Sequence, residues 1–219
     1  MGSITRSFAN NIGTSGILKA GAFNNASLNN VTALNAAIAT GNMVLISSQT
    51  ASNSASISFT TGIDSTYKEY QFYFIDIHPR TDVVSFDFNL STDSGSNYNV
   101  TKTTTFFWSY HNEADTDTTL AYQSDRDLAQ STSFQNLITN LGNASDENSS
   151  GMLSLFNPSS TTYVKHFIAN INGYTNFSAP YTQNAYVAGY GNTTSAVNAV
   201  RFQMSSGNFD GTILMYGIK

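Results

Sequence analysis

The chain has 219 residues, of which only 11% are charged, and it contains no cysteine. Its formal net charge is −5, with 9 Lys and Arg against 14 Asp and Glu, so it lacks the basic surface that contacts to nucleic-acid phosphates need. The composition argues against nucleic acid as a partner and against a fold held by disulfides. No segment reaches the ~18 apolar residues of a membrane span, so we expect no membrane partner.

Residues 1–41 differ in character from the rest of the chain. Pairs of Asn separate small residues, and the apolar side chains show no period of two, so this segment cannot bury a core of its own. We predict an extended N-terminal arm that lies on another chain, with at most one short helix at residues 31–39; the alternative is a floppy tail. The arm residues predicted to contact the partner are its isolated apolar side chains: Ile4, Phe8, Ile12, Ile17, Leu18, Phe23 and Leu28.

From residue 42 onward, apolar and polar residues alternate in short runs, a pattern that predicts β-strands. Residues 49–54 are interpreted as a connection, residues 112–127 as a polar acidic segment, and residues 128–141 as a short helix or an irregular excursion. With two further strands at the C-terminal end, about eight to ten strands are expected. We therefore predict an all-β domain over residues 42–219, a jelly-roll-like antiparallel β-sandwich. The candidate strands are residues 43–47, 55–59, 70–77, 83–90, 98–110, 152–156, 163–171 and 184–190.

The last twenty residues contain two more strand patterns, at 200–204 and 212–216, separated by a Gly-rich polar turn. This arrangement predicts a β-hairpin, and the second strand is apolar on both faces, so it should lie inside a sheet and close the fold. The turn at residues 206–211, followed by a strand ending in Tyr216, Gly217 and Ile218, resembles the C-terminal part of β-rich domains in virion proteins of tailed bacteriophages.

The resemblance implies a phage virion structural protein, either a surface decoration (cement) protein or a head-fibre protein. Such a protein would bind the major capsid protein or tail proteins through its arm, form a homo-oligomer, most plausibly a trimer, and be assembled in the host cytoplasm onto the virion surface. The alternative is a tail-fibre or tail-tip receptor-binding module that recognises host surface glycans. Tyrosines in Gly- and Asn-rich loops or strand ends could stack on sugars or fill a subunit interface, and these are Tyr174, Tyr181, Tyr186 and Tyr190.

No motif for catalysis or for a cofactor occurs: there is no nucleophile elbow, no His-Glu-x-x-His and no Gly-rich phosphate loop after a strand. Asp76 and His78 should share one strand face, but a His before Pro79 is more typical of a strand end. Asp115 and Asp117 form a weak candidate for Ca²⁺, against the simpler interpretation of a solvated acidic loop. We expect no enzyme, no cofactor and no metal; a sandwich-fold polysaccharide lyase or hydrolase would need a carboxylate pair or a His, Tyr and Arg set.

Overall fold

A computed structural model describes residues 42–176 and 179–219 of the chain. The predicted arm, its short helix and its partner contacts fall on residues 1–41 and lie outside the described residues. Within the described residues all regular structure is β, and no helix is long and apolar enough to cross a membrane. The strands are β1 (Met43–Ser54), β2 (Ser56–Phe59), β3 (Glu69–Pro79), β4 (Val84–Ser91), β5 (Lys102–Asn112), β6 (Thr118–Tyr122), β7 (Gln135–Leu141), β8 (Ser149–Phe156), β9 (Lys165–Asn176), β10 (Pro180–Gly191), β11 (Ala199–Met204) and β12 (Phe209–Ile218).

The strands form two antiparallel layers. The long layer has the order β1-β12-β3-β8-β9-β10-β5-β6, and the short layer has the order β2-β11-β4-β7. The layers are joined where β7 pairs with β9 at Leu141 and Thr175. The prediction of an all-β, jelly-roll-like antiparallel sandwich is confirmed, with a sheet that nearly closes on itself.

Alternation along the strands builds the core between the layers. In β9, Phe167, Ala169 and Ile171 are buried, while the alternating His166 and Ile168 are exposed. Because successive side chains of a strand point to opposite faces, this alternation assigns one face of the long layer to the core and the other to solvent. The core is rich in fully buried phenylalanines: Phe59, Phe72, Phe74, Phe86, Phe88, Phe106, Phe167, Phe202 and Phe209.

Phe202 on β11 lies at the centre of this aromatic core. Its ring centroid is within 6.3 Å of five other phenylalanine rings, which come from both layers. Each buried ring contributes roughly 2 to 3 kcal/mol of transfer free energy, and edge-to-face contacts add to that. The aromatic content is therefore used chiefly to hold the two layers together.

The hairpin predicted for the last twenty residues is wrong, although both strands exist. β11 pairs with β2 and β4, whereas β12 pairs with β1 and β3, so the chain crosses from one layer to the other at residues 205–208. The prediction that the final strand lies inside a sheet is confirmed, since β12 has a partner on each side.

Segments for which the sequence did not predict a strand also form strands. Residues 112–127 contain β6, and the interpretation of residues 128–141 as a short helix is wrong because β7 occupies Gln135–Leu141. Residues 49–54, interpreted as a connection, continue β1 to Ser54. The described residues thus contain twelve strands, more than the eight to ten expected.

β4 is buried along both faces, so its polar residues do not face solvent as alternation would suggest. Asn89 is fully buried and accepts a hydrogen bond from Lys102 Nζ at 2.6 Å, while its Nδ2 donates to the carbonyl oxygens of Tyr98 and Thr132. Asp87 accepts a hydrogen bond from Asn136 at 2.7 Å, and burial raises the pKa of its carboxyl. The polar residues of β4 therefore belong to a buried hydrogen-bond network.

Candidate functional site

Three of the four tyrosines predicted as glycan or interface residues lie near strand ends, and Tyr186 lies in the middle of β10. Tyr174 belongs to β9, and Tyr181, Tyr186 and Tyr190 belong to β10, so all four are on neighbouring strands of the long layer. The arm residues predicted to bind a partner, Ile4, Phe8, Ile12, Ile17, Leu18, Phe23 and Leu28, lie outside the described residues. The tyrosines therefore define the region in which a site can be argued.

Tyr186 and Tyr190 lie on the solvent face of this layer. The ring of Tyr186 stacks on Phe107 with centroids 5.0 Å apart and an interplanar angle of 13°, and both rings are more than a third exposed. Tyr190 lies beside His166, with ring centroids 5.9 Å apart. We call this surface the outer aromatic face; its exposed apolar members are Phe107, Leu120, Tyr122, Ile168 and Tyr186.

The strands of the outer aromatic face expose no Asp, Glu, Lys or Arg side chain, and a carboxylate touches the face only at its edge, where the Tyr122 hydroxyl donates to Asp127. The four strands that form it, β5, β6, β9 and β10, contain no Asp, Glu or Arg, and their two lysines, Lys102 and Lys165, are fully buried. Exposed apolar surface without charge is a common property of surfaces that bind other proteins.

At one end of the same layer lies a polar cavity of about 410 Å³, which we call the outer cavity. The pKa of Tyr174, which lines this cavity, is raised. Partial burial is the largest cause, and the nearby carboxylates of Glu113, Asp146 and Glu147 add to it. Its lining combines amide, carboxylate, imidazole and phenol groups, all of which can hydrogen-bond a polar ligand. The lining includes His111, Glu113, Asp146, Asn148, Asn172, Tyr174, Tyr181 and Thr182.

A second cavity, of about 360 Å³, lies on the core side of the same strands at this end of the sandwich; we call it the inner cavity. Three aromatic rings line it in sequence: Trp108 and Tyr110 are 6.3 Å apart and tilted by 67°, and Tyr110 and Tyr181 are 5.1 Å apart and tilted by 74°. The remaining lining residues are polar: Asp117, Arg126, Asn140, Thr175 and Gln183. Tyr181 therefore lies between the two cavities and lines both.

Some polar groups in the inner cavity have hydrogen-bond partners and others do not. The hydroxyl of Tyr181 donates to Asp117 Oδ2 at 3.2 Å. Gln183 is only 3% exposed, and its Nε2 has no hydrogen-bond partner among residues 42–176 and 179–219. Arg126 Nε lies 3.3 Å from Asp125 Oδ2, close enough for an ion pair, but the N–H does not point at that oxygen.

The two carboxylates considered for Ca²⁺ have different hydrogen-bond partners in the structure. Asp115 lies 3.0 Å from His111 Nε2, and Asp117 accepts from Tyr181. Asn112 holds the turn between them by accepting from the backbone N–H groups of Thr116 and Asp117. Within the described part of the chain, no group of three or more His, Asp or Glu side chains is arranged to hold a metal ion.

A β-bulge lies in β3 at the position where Asp76 and His78 were expected to share one strand face. Asp76 and Ile77 together oppose Gly211 of β12, and Asp76 has a φ of 52°. Asp76 consequently accepts from Asn148 Nδ2 at 3.1 Å, while His78 Nδ1 donates to the carbonyl oxygen of Glu147 at 2.6 Å. Each side chain therefore has its own hydrogen-bond partner in residues 147–148.

We find no protein family, curated protein or solved structure that matches this chain. The function must therefore be argued from the outer aromatic face and from the two cavities. Trp108, Tyr110 and Gln183 were not recognised as site residues from the sequence, because each follows the alternation of an ordinary core strand. The one available signal was Gln183, a polar residue in register with the inward-facing Ala185 and Val187.

Proposed function

We propose that this chain is a virion structural protein, a surface decoration or head-fibre protein of the tailed-phage type, and that it works as a homo-oligomer. The observation that carries the proposal is the outer aromatic face, which exposes stacked aromatic rings on four strands that expose no Asp, Glu, Lys or Arg. The C-terminal resemblance and the arm composition of residues 1–41 add support from the sequence. Its role would be mechanical: repeated copies bound to a particle, each adding contact area.

A second copy of the chain is the occupant that fits this face best. The chain has a net charge of −5, so two copies approaching through most other surfaces would bring like charges together. The outer aromatic face reduces that repulsion because its strands expose no Asp or Glu, and burial of its rings would stabilise an interface by about 25 cal/mol per Å² of apolar area removed from water. Aromatic residues are also enriched at protein interfaces.

The oligomer can be tested by placing a charge in the middle of the face. We expect Tyr186→Asp to shift the protein from a multimer to a monomer in sedimentation velocity, because each copy would bury an unpaired carboxylate. Tyr163→Asp is the matched control, since Tyr163 is a more exposed aromatic residue outside the four strands. A wild-type protein that is monomeric at all concentrations would contradict the proposed interface.

Attachment to a particle depends on the arm in this proposal. Residues 42–219 alone should keep the melting temperature of the sandwich but bind much more weakly to virus particles that lack the protein. Co-sedimentation with such particles measures the difference. Full-strength attachment of the truncated chain would show that residues 1–41 are not the anchor.

Glycan recognition is the second candidate, and the position of Tyr181 between two polar, aromatic cavities favours it. Ligand sites combine apolar and aromatic walls with a few placed polar groups, as both cavities do. On a glycan array, we expect specific binding that is lost in Tyr181→Ala and retained in Tyr190→Ala, because Tyr190 lies on the outer aromatic face, away from both cavities. If no glycan on the array binds, the structural role would remain as the single candidate.

A further inference from the structure

We propose that the inner cavity is a binding site for one residue of a neutral, hydroxyl-rich sugar. The inference rests on the glycan-recognition candidate above and selects one of the two cavities. Three features carry it: the wall of three rings, the buried amide of Gln183 without a partner, and the balance of charge around Asp117 and Arg126.

The ring wall provides the apolar contact. Trp108, Tyr110 and Tyr181 stand edge to face along one side of the cavity, with successive centroids 6.3 and 5.1 Å apart. Each of these side chains is only partly buried, so ring surface remains available to a ligand. The C–H face of a pyranose is flat and apolar, and it packs on such rings as other apolar groups do.

The amide of Gln183 provides an unused hydrogen-bond donor. A buried N–H without a partner costs about 1 to 3 kcal/mol, and most buried polar groups in proteins are paired. Nε2 of Gln183 remains unpaired within residues 42–176 and 179–219, although the residue is almost entirely buried and lines the cavity. A ligand oxygen placed there would recover the hydrogen bond that the fold leaves open.

The charges around the cavity favour a neutral ligand. Asp117 provides carboxylate oxygens, and Gln183 provides a donor, so the ligand must both donate and accept, which a hydroxyl does. Arg126 Nε lies 3.3 Å from Asp125 Oδ2, so part of its positive charge is already offset. A sugar that carries a carboxylate would bring it towards Asp117, while the one cation in the lining, Arg126, already has the carboxylate of Asp125 beside it.

The sole tryptophan of the chain makes the site directly measurable. Trp108 is the one Trp in the sequence and lines the inner cavity, so its fluorescence reports on this site and not on the outer cavity. The full-length protein would be titrated with the methyl glycosides of glucose, galactose, mannose and N-acetylglucosamine, and with methyl glucuronide. We expect a saturable change for at least one neutral glycoside and a weaker response to the glucuronide. No response to any sugar, or a response to the glucuronide alone, would overturn the proposal.

Substitution of the buried amide tests the polar contact. Gln183→Met keeps the length of the side chain and removes the amide, and we expect it to weaken binding about tenfold, the equivalent of ~1.4 kcal/mol. Its melting temperature should not fall, because the amide nitrogen it removes donates no hydrogen bond within the described residues. His111→Ala, which changes only the outer cavity, should bind as the wild type does. Equal affinity of Gln183→Met and the wild type would overturn the assignment.

Asp117→Asn provides an independent test if Gln183→Met folds poorly. It removes the charge of the acceptor at the cavity edge and should weaken binding by several fold; unchanged affinity would overturn the proposal. The outcomes also separate this inference from the function on which it rests. Glycans bound on an array without any change at Trp108, and lost in His111→Ala, would keep glycan recognition and reject the inner cavity. If neither the glycan array nor the Trp108 titration shows binding, both glycan recognition and the inner-cavity site would be rejected.

Discussion

At the scale of single residues, the buried lysines show how the sandwich accommodates charge. Lys102 is fully buried, and its Nζ donates to Asn89 Oδ1 at 2.6 Å and to the carbonyl oxygen of Val100 at 2.9 Å. Lys165 is likewise buried and donates to the carbonyl oxygens of Tyr163 and Thr193. None of these four acceptors is a carboxylate, so the protonated amine gains hydrogen bonds but no opposite charge.

Burial lowers the pKa of Lys102 from 10.5 to about 7, and this shift predicts a pH dependence of stability. Between pH 7 and about 10.5 the unfolded chain holds a proton on this amine that the folded chain has released. The free energy of unfolding should therefore rise with pH across this window, by up to about 1.4 kcal/mol per pH unit. Urea unfolding at pH 7 and pH 9, at one protein concentration, measures the slope.

The matched variant for this prediction is Lys102→Met, which removes the titrating group and keeps the chain length. It should be less stable than the wild type at pH 9 because Asn89 loses a donor, so the slopes are compared and not the values. We expect a smaller slope in the variant, with the remainder belonging to Lys165, whose pKa burial also lowers. Equal slopes in the two proteins would show that Lys102 remains charged inside the fold.

At the scale of elements, the bulge between β3 and β12 explains why one glycine is required. Gly211 has a φ of +132°, and a Cβ added there would lie 2.7 Å from the carbonyl oxygen of Asp76. A β-bulge adds a residue to one strand and sharpens the local twist. The bulge lies at Asp76 and Ile77, and no alternation pattern reveals it.

We expect Gly211→Ala to lower the free energy of unfolding by more than about 1 kcal/mol, because alanine neither adopts this φ easily nor fits against the backbone. Gly191→Ala is the control: its φ lies outside the positive region, and its added carbon would meet side chains only, at 3.0 Å or more. Chemical denaturation of the two variants gives the comparison. A Gly211→Ala protein as stable as Gly191→Ala would mean that β12 can shift its register without cost.

Individual strands could be predicted from the sequence where alternation is strong, as in β3, β4 and β9. β7 could not, because Gln135, Asn136, Thr139 and Asn140 give it the composition of a loop. The polar residues of β4 suggested a solvent face, but Lys102 and Asn136 come from distant positions to pair with them. Burial of polar residues depends on partners far along the chain, and local patterns do not contain that information.

The candidate site could be predicted by residue type but not by arrangement. Tyr181 was recognised as an amphipathic ring at a strand end, and it does line both cavities. Its neighbours Trp108 and Tyr110 belong to β5, whose register against β10 is set by the whole layer. The site therefore becomes visible only once strand pairing is known.

At the scale of the whole molecule, Phe202 packs against rings from both layers, so its loss should destabilise the contact between them. We expect Phe202→Ala to lower the free energy of unfolding by about 3 to 5 kcal/mol, because the cavity would open among five packed rings. Tyr163→Ala, at an exposed aromatic residue, should change it by less than about 0.5 kcal/mol. Similar values for the two variants in urea unfolding would contradict the central role of Phe202.

The pairing of β1 with β12 has a consequence for how the protein is made. Met43 is aligned with Ile218, so the first strand of the sandwich cannot find its neighbour until nearly all of the domain has left the ribosome. Translation adds about 5 to 20 residues per second, and contacts between distant parts of a chain form slowly. During that interval the edges of β1 and β3 that β12 will cover are open to pairing with other chains.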